Sequence, residues 1–287
     1  MSTNPYEGDD EFLALTEMSR DVDLARVALE IAADDYPDLD IDACMRTFDV
    51  FAERVSARCR KNASIAKIAD QINWLLYVEE GFRGGGPNDK DPRLFYLNEV
   101  LRRKVGSHST LAIIHNAVAR RLGIWTEWIG NTPRAMFTLH ARGPYCHLSP
   151  VHFYVDAYKG GKLIKSRDFM ESLQGCRGGT VDFLFKHFEM FRGPAMIIVG
   201  LLLEMYQNRL NAGEVEEAYS ISLRLTGFPR KDRSELTDHA IMCKKIGRIH
   251  EMIEFLEAYL ETEPVGGLLK EPRDWLRAAQ REVASWN

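Results

Sequence analysis

Long apolar runs are absent from this sequence. The longest is AMIIVGLLL, residues 195–203, whereas a membrane-spanning helix needs about 20 consecutive apolar residues. The N-terminal stretch MSTNPYEGDDEF has neither the basic start nor the apolar segment of a secretory signal peptide. We therefore expect a protein that has no membrane partner.

Paired cysteines and an excess of basic residues are absent as well. The five cysteines lie far apart without a C-x-x-C pair, so we expect reduced thiols and a cytoplasmic location. The 42 acidic residues outnumber the 37 lysines and arginines, and the net charge is -5. Because nucleic-acid surfaces are usually basic, we expect no nucleic-acid partner. The basic runs at 102–104 and 120–121 are interpreted as solvated helix surface.

A phosphate-binding loop is the third absence. The segment EEGFRGGGPNDKDPR contains a glycine cluster from Gly84 to Gly86, followed by Pro87. It lacks the lysine and the hydroxyl residue that complete a phosphate-binding loop. The cluster therefore predicts a turn or flap without regular structure, and we predict no cofactor.

What the sequence does contain is the pattern of a helical globular protein. Its composition, 45% hydrophobic and 28% charged, is ordinary for a chain that buries a core. The clearest apolar stripe at helical spacing is Leu24, Val27, Ala28 and Ile31. Further helices are predicted at 41–59, 65–77 and 93–106.

The segment GSHSTLAIIHNAVARRLG predicts another helix, and strands follow it. Its first residue, Gly106, is a plausible C-cap of the preceding helix, and Ser107 or Ser109 can cap the new one. The helix has one apolar stripe, formed by Leu111, Ile114, Val118 and Leu122. The β-tolerant composition of RAMFTLHA (134–141) and the β-branched and aromatic residues of VHFYVDAY (151–158) predict strands.

The C-terminal part of the chain contains an internal repeat. Gly213 and Gly247 are 34 residues apart, and each precedes a predicted helix that ends near Pro229 or Pro264. A period of about 34 residues with paired helices is typical of tetratricopeptide units. Two units are too few for an independent solenoid, so we expect them to pack on the rest of the protein.

Three separated motifs resemble a known family. The segment YLNEVLRRKVGSHSTLAIIHNAVARRLGI, residues 96–124, resembles the core of the bacterial SirB-type transglutaminase-like family. That core usually reads Y-L-N-x-V-L-x-R-R-x-G-I-P-I-S-L-S, followed by a helix that ends A-R-R-L-G-L. VDAYKGGKL, residues 155–163, is similar to the family's later D-P-F-x-G-G-x-L. EIAADDYPDLD, residues 30–40, is similar to its N-terminal helical segment.

The resemblance implies an α+β fold in three parts. These are a helical N-terminal segment over 1–80, a papain-like transglutaminase core with a small antiparallel sheet over 81–193, and a tetratricopeptide-like tail over 194–287. In the related enzymes a cysteine begins the central helix, and a histidine and an aspartate follow on neighbouring strands. The imidazole activates the thiol, and the carboxylate orients the imidazole.

Only one member of that triad is present here. By the resemblance, the cysteine position falls on His108, where the family commonly has proline, and the histidine position falls on Met136. The aspartate position falls on Asp156. The resemblance therefore does not support acyl transfer by a thiol.

Other reactive side chains follow in the segment HARGPYCHLSPVHFYVD. Cys146, His147 and His152 could join His108 and Asp156 in a rebuilt active site or a metal site. Because their spacing fits no established ligand signature, we predict no metal. We favour an inert Cys146, a loop position for His147 and a hydrogen-bonded strand position for His152. The predicted cleft is completed by Ser107, Ser109 and Met136.

Two hypotheses about function follow. The first is a pseudoenzyme that serves as a binding or regulatory module, with a protein or peptide partner in the old cleft or on the helical tail. His108 then has a structural role and hydrogen-bonds the backbone or Asp156. The second is an enzyme that uses His108 and Asp156 for acid/base, hydrolytic or metal-assisted chemistry on a small molecule or peptide. We favour the first, because a base without an identified nucleophile or substrate has no assigned task.

Overall fold

A computed structural model of the chain describes eight stretches, which are 6–19, 21–86, 89–129, 136–141, 153–165, 194–228, 234–261 and 270–286. The chain divides into two compact units, Met1–Leu201 and Leu202–Asn287. The first unit combines helices with a four-stranded sheet, and the second is helical. The α+β fold class predicted from the sequence is therefore confirmed.

Helices form the N-terminal part of the first unit, as predicted. They are α1 (Asp10–Thr16), α2 (Leu24–Ala33), α3 (Ile41–Ser56) and α4 (Ile65–Asn73). The aspartates before α2 and α3 and the serine before α4 each accept a hydrogen bond from the first turn, which satisfies a backbone donor there. The predicted stripe of α2 is buried, with at most 3% of any of its side chains exposed.

A π-helical turn follows α4, where the sequence predicts one continuous helix. It spans Trp74–Glu79. Turns of this kind are rare in proteins, and many of those that occur lie at functional sites. Trp74 and Val78 are 52% and 58% exposed, whereas Leu75 and Leu76 are buried. The wider turn therefore places large apolar side chains on both sides of the backbone.

The glycine cluster contains regular structure, contrary to the prediction. β1 (Arg83–Gly84) pairs in parallel with β2 (Val105–Gly106). A Cβ atom at Gly84 would lie 2.5 Å from the ring of Tyr158, a distance that no ordinary contact allows. Glycine is thus required here because an aromatic ring packs directly on the backbone of the short strand.

The predicted C-cap at Gly106 is also wrong. α5 (Leu97–Arg103) ends at Lys104, whose φ of 61° lies in the left-handed region. The Lys104 ammonium group lies 4.4 Å from the centroid of the Phe82 ring and 3.2 Å from the carboxylate of Glu80. These contacts offset the cost of the unfavourable backbone conformation.

The central helix α6 (His108–Arg121) is buried more completely than its apolar stripe predicts. Every residue from Ser109 to Ala119 is buried. The cause is that α2, α3, α4 and β3 all contact α6. His115 is 0% exposed for the same reason.

The two basic runs match the predicted solvated surface only in part. The side chain of Arg102 is 66% exposed, as expected. The side chain of Arg121 is only 17% exposed and forms ion pairs with Asp23 and Asp49. Arg120 donates to the carbonyl of Val22 over 2.7 Å. The end of α6 therefore binds the segment that leads into α2.

An antiparallel sheet with the strand order β3-β4-β5-β6 completes the described part of the first unit. Its strands are β3 (Ile124–Ile129), β4 (Met136–Ala141), β5 (Phe153–Asp156) and β6 (Lys162–Lys165). A 3-10 turn, Ala157–Lys159, and two glycines of positive φ connect β5 to β6. The strands predicted at 134–141 and 151–158 are confirmed over their described residues, and the second ends at Asp156, before the 3-10 turn.

Helices continue into the second unit. α7 (Ala195–Ala212) crosses the boundary between the units and is followed by α8 (Val215–Thr226), α9 (Ser234–Lys245), α10 (Ile249–Glu261) and α11 (Lys270–Ala284). Gly213 and Gly247 both have φ of 79°. The residue after each glycine donates to a carbonyl five residues earlier, which is the Schellman arrangement. The 34-residue repeat therefore has the same turn at both positions.

No helix in the described stretches is long and apolar enough to cross a membrane.

Candidate functional site

The start of α6 is fixed by a reciprocal cap. The Ser107 hydroxyl accepts from the Thr110 amide over 3.3 Å, and the Thr110 hydroxyl accepts from the Ser107 amide over 2.9 Å. Thr110 also donates its hydroxyl proton to the carbonyl of Leu94 over 3.0 Å. This capping box satisfies two free donors and sets His108 as the first helical residue. Of the two predicted caps, Ser107 is the correct one, and Ser109 is 2% exposed within the helix.

The imidazole of His108 is covered by an aromatic ring. The ring of Tyr158, in the turn after β5, stacks on it with centroids 3.6 Å apart and planes 10° apart. The Tyr158 hydroxyl donates to the carbonyl of Gly85, and burial raises the pKa of that phenol. One tyrosine therefore connects the glycine cluster, the start of the central helix and the turn that leaves the sheet.

Asp156 is fully buried at the end of β5. Its Oδ1 accepts from the backbone amide of Lys159 over 3.2 Å and so begins the 3-10 turn. Within the described stretches its Oδ2 has no hydrogen-bond partner. Asp156 therefore does not orient the imidazole of His108, as the aspartate of a catalytic triad would.

A second buried polar group near Asp156 is the phenol of Tyr77. It belongs to the π-helical turn, and among the described residues its hydroxyl has no hydrogen-bond partner. Burial raises the pKa of Tyr77, and the negative charge of Asp156 raises it further. Tyr77 therefore remains a neutral hydrogen-bond donor, and buried groups without partners are uncommon enough to require an explanation.

His115 belongs to a separate polar contact on the same helix. Its Nε2 lies 3.1 Å from the side-chain oxygen of Asn73, and the Asn73 amide donates to the carbonyl of Gly161 over 2.8 Å. Burial lowers the pKa of His115 to about 3, so the imidazole is neutral at physiological pH. This contact joins α4, α6 and the turn between β5 and β6.

The remaining predicted site residues are only partly described. Met136 lies in β4, directly opposite Asp156 in the register of β4 and β5. Cys146, His147 and His152 lie outside the described stretches. The structure therefore brings Met136 and Asp156 together on neighbouring strands, and places Ser107, His108 and Ser109 at the start of α6.

Two residues of this region were missed by the sequence interpretation. Tyr158 lies within the quoted motif VDAYKGGKL, so attention to its aromatic position could have found it. Tyr77 gave no such signal, because it reads as an ordinary residue of an apolar helix. Both depend on contacts between segments that are distant in sequence.

Comparisons with known proteins agree with this architecture. The family model of the transglutaminase-like superfamily matches residues 42–198, which begin in α3 and end in α7. Two proteins named UPF0162 protein, from the Temecula1 and 9a5c strains of Xylella fastidiosa, are each 24% identical over 247 residues, 84% of this chain and 84% of theirs. F-box only protein 21 of Mus musculus is 25% identical over 105 residues, 36% of this chain and 17% of the mouse protein. No solved structure matches the chain.

Proposed function

Because this chain belongs to the transglutaminase-like superfamily, we propose that it is a SirB-type pseudoenzyme that uses the fold as a binding or regulatory module. It carries out no acyl transfer by a thiol. Its location is cytoplasmic, and it needs no cofactor, membrane or nucleic acid.

The stacking of Tyr158 on His108 carries this proposal. The residue at the nucleophile position has neither thiol nor hydroxyl, and a ring 3.6 Å away covers one face of its imidazole. Covalent catalysis needs a nucleophile and a base within hydrogen-bond reach of each other. Asp156 is used to begin the turn after β5, and the thioether of methionine at position 136 is not a base. These contacts support a structural role for His108 and Asp156, in which they hold neighbouring segments together, more than a catalytic role.

An amine-incorporation assay tests the absence of acyl transfer. The full-length chain is incubated with casein as glutamine donor and a fluorescent primary amine, with an active transglutaminase as positive control. We expect the wild type and His108→Ala to give the same background signal, since no thiol nucleophile is present at this position. Incorporation by the wild type that disappears in His108→Ala would contradict the proposal.

A protein or peptide is the proposed partner. The repeated turns at Gly213 and Gly247 support a tetratricopeptide-like tail, and stacked helix pairs form concave grooves that bind extended chains. The test is to isolate a cross-linked partner from the source cells, purify it and reconstitute the complex. A binding module forms a saturable complex at fixed stoichiometry and leaves the intact mass of the partner unchanged, whereas a changed mass would favour an enzyme.

The second candidate function is an enzyme with a rebuilt cleft. It is favoured by two buried polar atoms, Asp156 Oδ2 and the Tyr77 hydroxyl, that lack hydrogen-bond partners among the described residues, since such groups occur at functional sites. In this case His108 and Asp156 supply acid/base chemistry. The enzyme hypothesis predicts hydrolysis of a peptide or ester that is lost in both His108→Ala and Asp156→Asn while circular dichroism stays unchanged.

A further inference from the structure

The second unit contains a cluster of side chains that typically bind metals. His239 and Cys243 lie one turn apart on α9, and Glu251 follows on α10. The candidate ligand atoms of these three residues lie within 4.8 Å of one another. His239 and Cys243 are 0% exposed. The cluster is distant in sequence from Cys146, His147 and His152, for which we predict no metal.

Polar contacts surround the Nδ1 atom of His239. The Ser222 hydroxyl oxygen lies 2.7 Å from the carbonyl of Tyr219 and 2.6 Å from His239 Nδ1. In the tautomer with the proton on Nδ1, the imidazole donates to Ser222, and the other nitrogen, Nε2, carries a lone pair and no hydrogen. This is the tautomer that can bind a metal ion through Nε2.

The Nε2 atom of His239 lies beside the carboxylate of Glu251. Nε2 is buried and has no hydrogen-bond partner in the described residues, although the Oε1 atom of Glu251 lies 3.5 Å away. Burial lowers the pKa of His239 and raises the pKa of the Cys243 thiol to about 12. In the tautomer with the proton on Nδ1, a neutral imidazole nitrogen and a carboxylate oxygen face each other as two acceptors, and a cation between them would stabilise this arrangement.

We propose that a zinc ion binds between His239 Nε2, Cys243 Sγ and the carboxylate of Glu251, with water in the fourth position. Nitrogen, sulfur and oxygen ligands suit zinc, at distances of about 2.0 to 2.3 Å, so small side-chain movements would bring the three atoms into a tetrahedral site. Binding breaks the S–H bond of Cys243 and releases its proton to solvent. The resulting thiolate and carboxylate balance the two positive charges of the ion.

Neighbouring groups would support such a site. In the metal-binding tautomer the Nδ1–H of His239 donates to Ser222, and the Tyr219 hydroxyl donates to Glu251 Oε1 over 2.6 Å. Arg248 donates to Tyr219 over 2.8 Å and lies 3.4 Å from Glu251 Oε2. These contacts orient the imidazole and the carboxylate, as partners of metal ligands commonly do. The proposal concerns the second unit alone and does not depend on the function proposed for the first.

The test uses the full-length chain without a histidine tag, stripped of metal and then titrated with zinc against a chromophoric chelator. We expect one tightly bound zinc per chain. Titration with cobalt should produce a thiolate-to-cobalt charge-transfer band. If the stripped wild type neither competes for one equivalent of zinc nor gives this band, the proposal is wrong.

Matched variants identify the ligands. Cys243→Ser should abolish the cobalt band, whereas Cys59→Ser, which changes a free cysteine in the first unit, should leave it unchanged. Ser222→Ala should weaken zinc binding by about 10- to 100-fold, the usual effect of losing a partner of a metal ligand. Glu251→Gln provides a second ligand change if Cys243→Ser does not fold. Equal zinc affinity in the wild type, Cys243→Ser and Glu251→Gln would show adventitious binding and overturn the proposal.

Discussion

Two histidines in this molecule occupy contrasting environments. His108 is half-buried at the start of α6, with the Tyr158 ring stacked on its face. His239 is fully buried on α9, and one of its nitrogens faces a thiol and a carboxylate. The contrast teaches that two histidines of one chain can have different surroundings, since an aromatic ring packs on His108 whereas the side chains around His239 are typical metal ligands.

The largest expected effect comes from disrupting the contact between Asn73 and Gly161, which joins α4 to the turn between β5 and β6. A Cβ at Gly161 would lie 1.9 Å from the side-chain oxygen of Asn73, and φ there is +71°. We expect Gly161→Ala to lower the free energy of unfolding by about 3 kcal/mol or more, since left-handed strain adds to a steric overlap. Urea denaturation followed by tryptophan fluorescence measures this loss.

The neighbouring Gly160 supplies the matched control for that experiment. It has φ of +67°, but no atom lies within 4 Å of an added Cβ. Gly160→Ala should therefore lower the free energy of unfolding by only about 1 to 2 kcal/mol, which is the cost of the left-handed backbone conformation. Zinc affinity of the second unit should be equal in both variants. A similar loss of stability in the two variants would show that the contact with Asn73 is unimportant.

A pH experiment on His115 gives the next largest effect. Its folded pKa of about 3 lies below the usual value of 6.5, so the unfolded chain binds more protons between these values. The stabilising contribution is therefore complete above pH 6.5 and is lost as pH falls, by about 1.4 kcal/mol per pH unit. Between pH 6.5 and 5 the stability advantage of the wild type over His115→Gln should shrink by about 2 kcal/mol. Parallel pH profiles of the two proteins would refute this.

The smallest expected effect concerns the ring that covers His108. Tyr158→Phe keeps the stacked ring but removes the donor to the buried carbonyl of Gly85. We expect the free energy of unfolding, measured by thermal denaturation, to fall by about 1 kcal/mol. The chemical shifts of the His108 ring protons should stay unchanged. Tyr158→Leu, which removes the aromatic ring, should shift those protons. If Tyr158→Phe shifts them equally, the hydroxyl and not the ring determines the contact.

Local patterns in the sequence predict much of this fold. The stripe of α2, the central helix and the strands β4 and β5 follow from short segments, because helical and strand periodicity are set by neighbouring residues. The superfamily is indicated by the resemblance of three motifs to a known family. The left-handed Lys104 could not be predicted in this way. The ammonium group of Lys104 contacts the Phe82 ring and the Glu80 carboxylate, which are more than 20 positions away in the sequence.

The side-chain environments were harder to predict than the elements. The resemblance implies that the cysteine position of the related enzymes falls on His108. The stacking of His108 on Tyr158 could not be predicted in this way, because it depends on the missing side chain of Gly84. The cluster in the second unit did leave a partial signal. His239 and Cys243 are four residues apart on a helix and so share one face, whereas Glu251 joins them only through the packing of α9 on α10.

The hydrogen bond between Asn73 and Gly161 joins residues that are 88 positions apart, and this separation governs the order of events during synthesis. When α4 leaves the ribosome, the partner of its last residue does not yet exist. The N-terminal helices can pack on α6 as soon as that helix has been made, but this polar contact forms only after the turn that follows β5. Because closing so long a segment costs entropy before the contact forms, we expect the packing of α4 to be completed late and to need protection from aggregation until then.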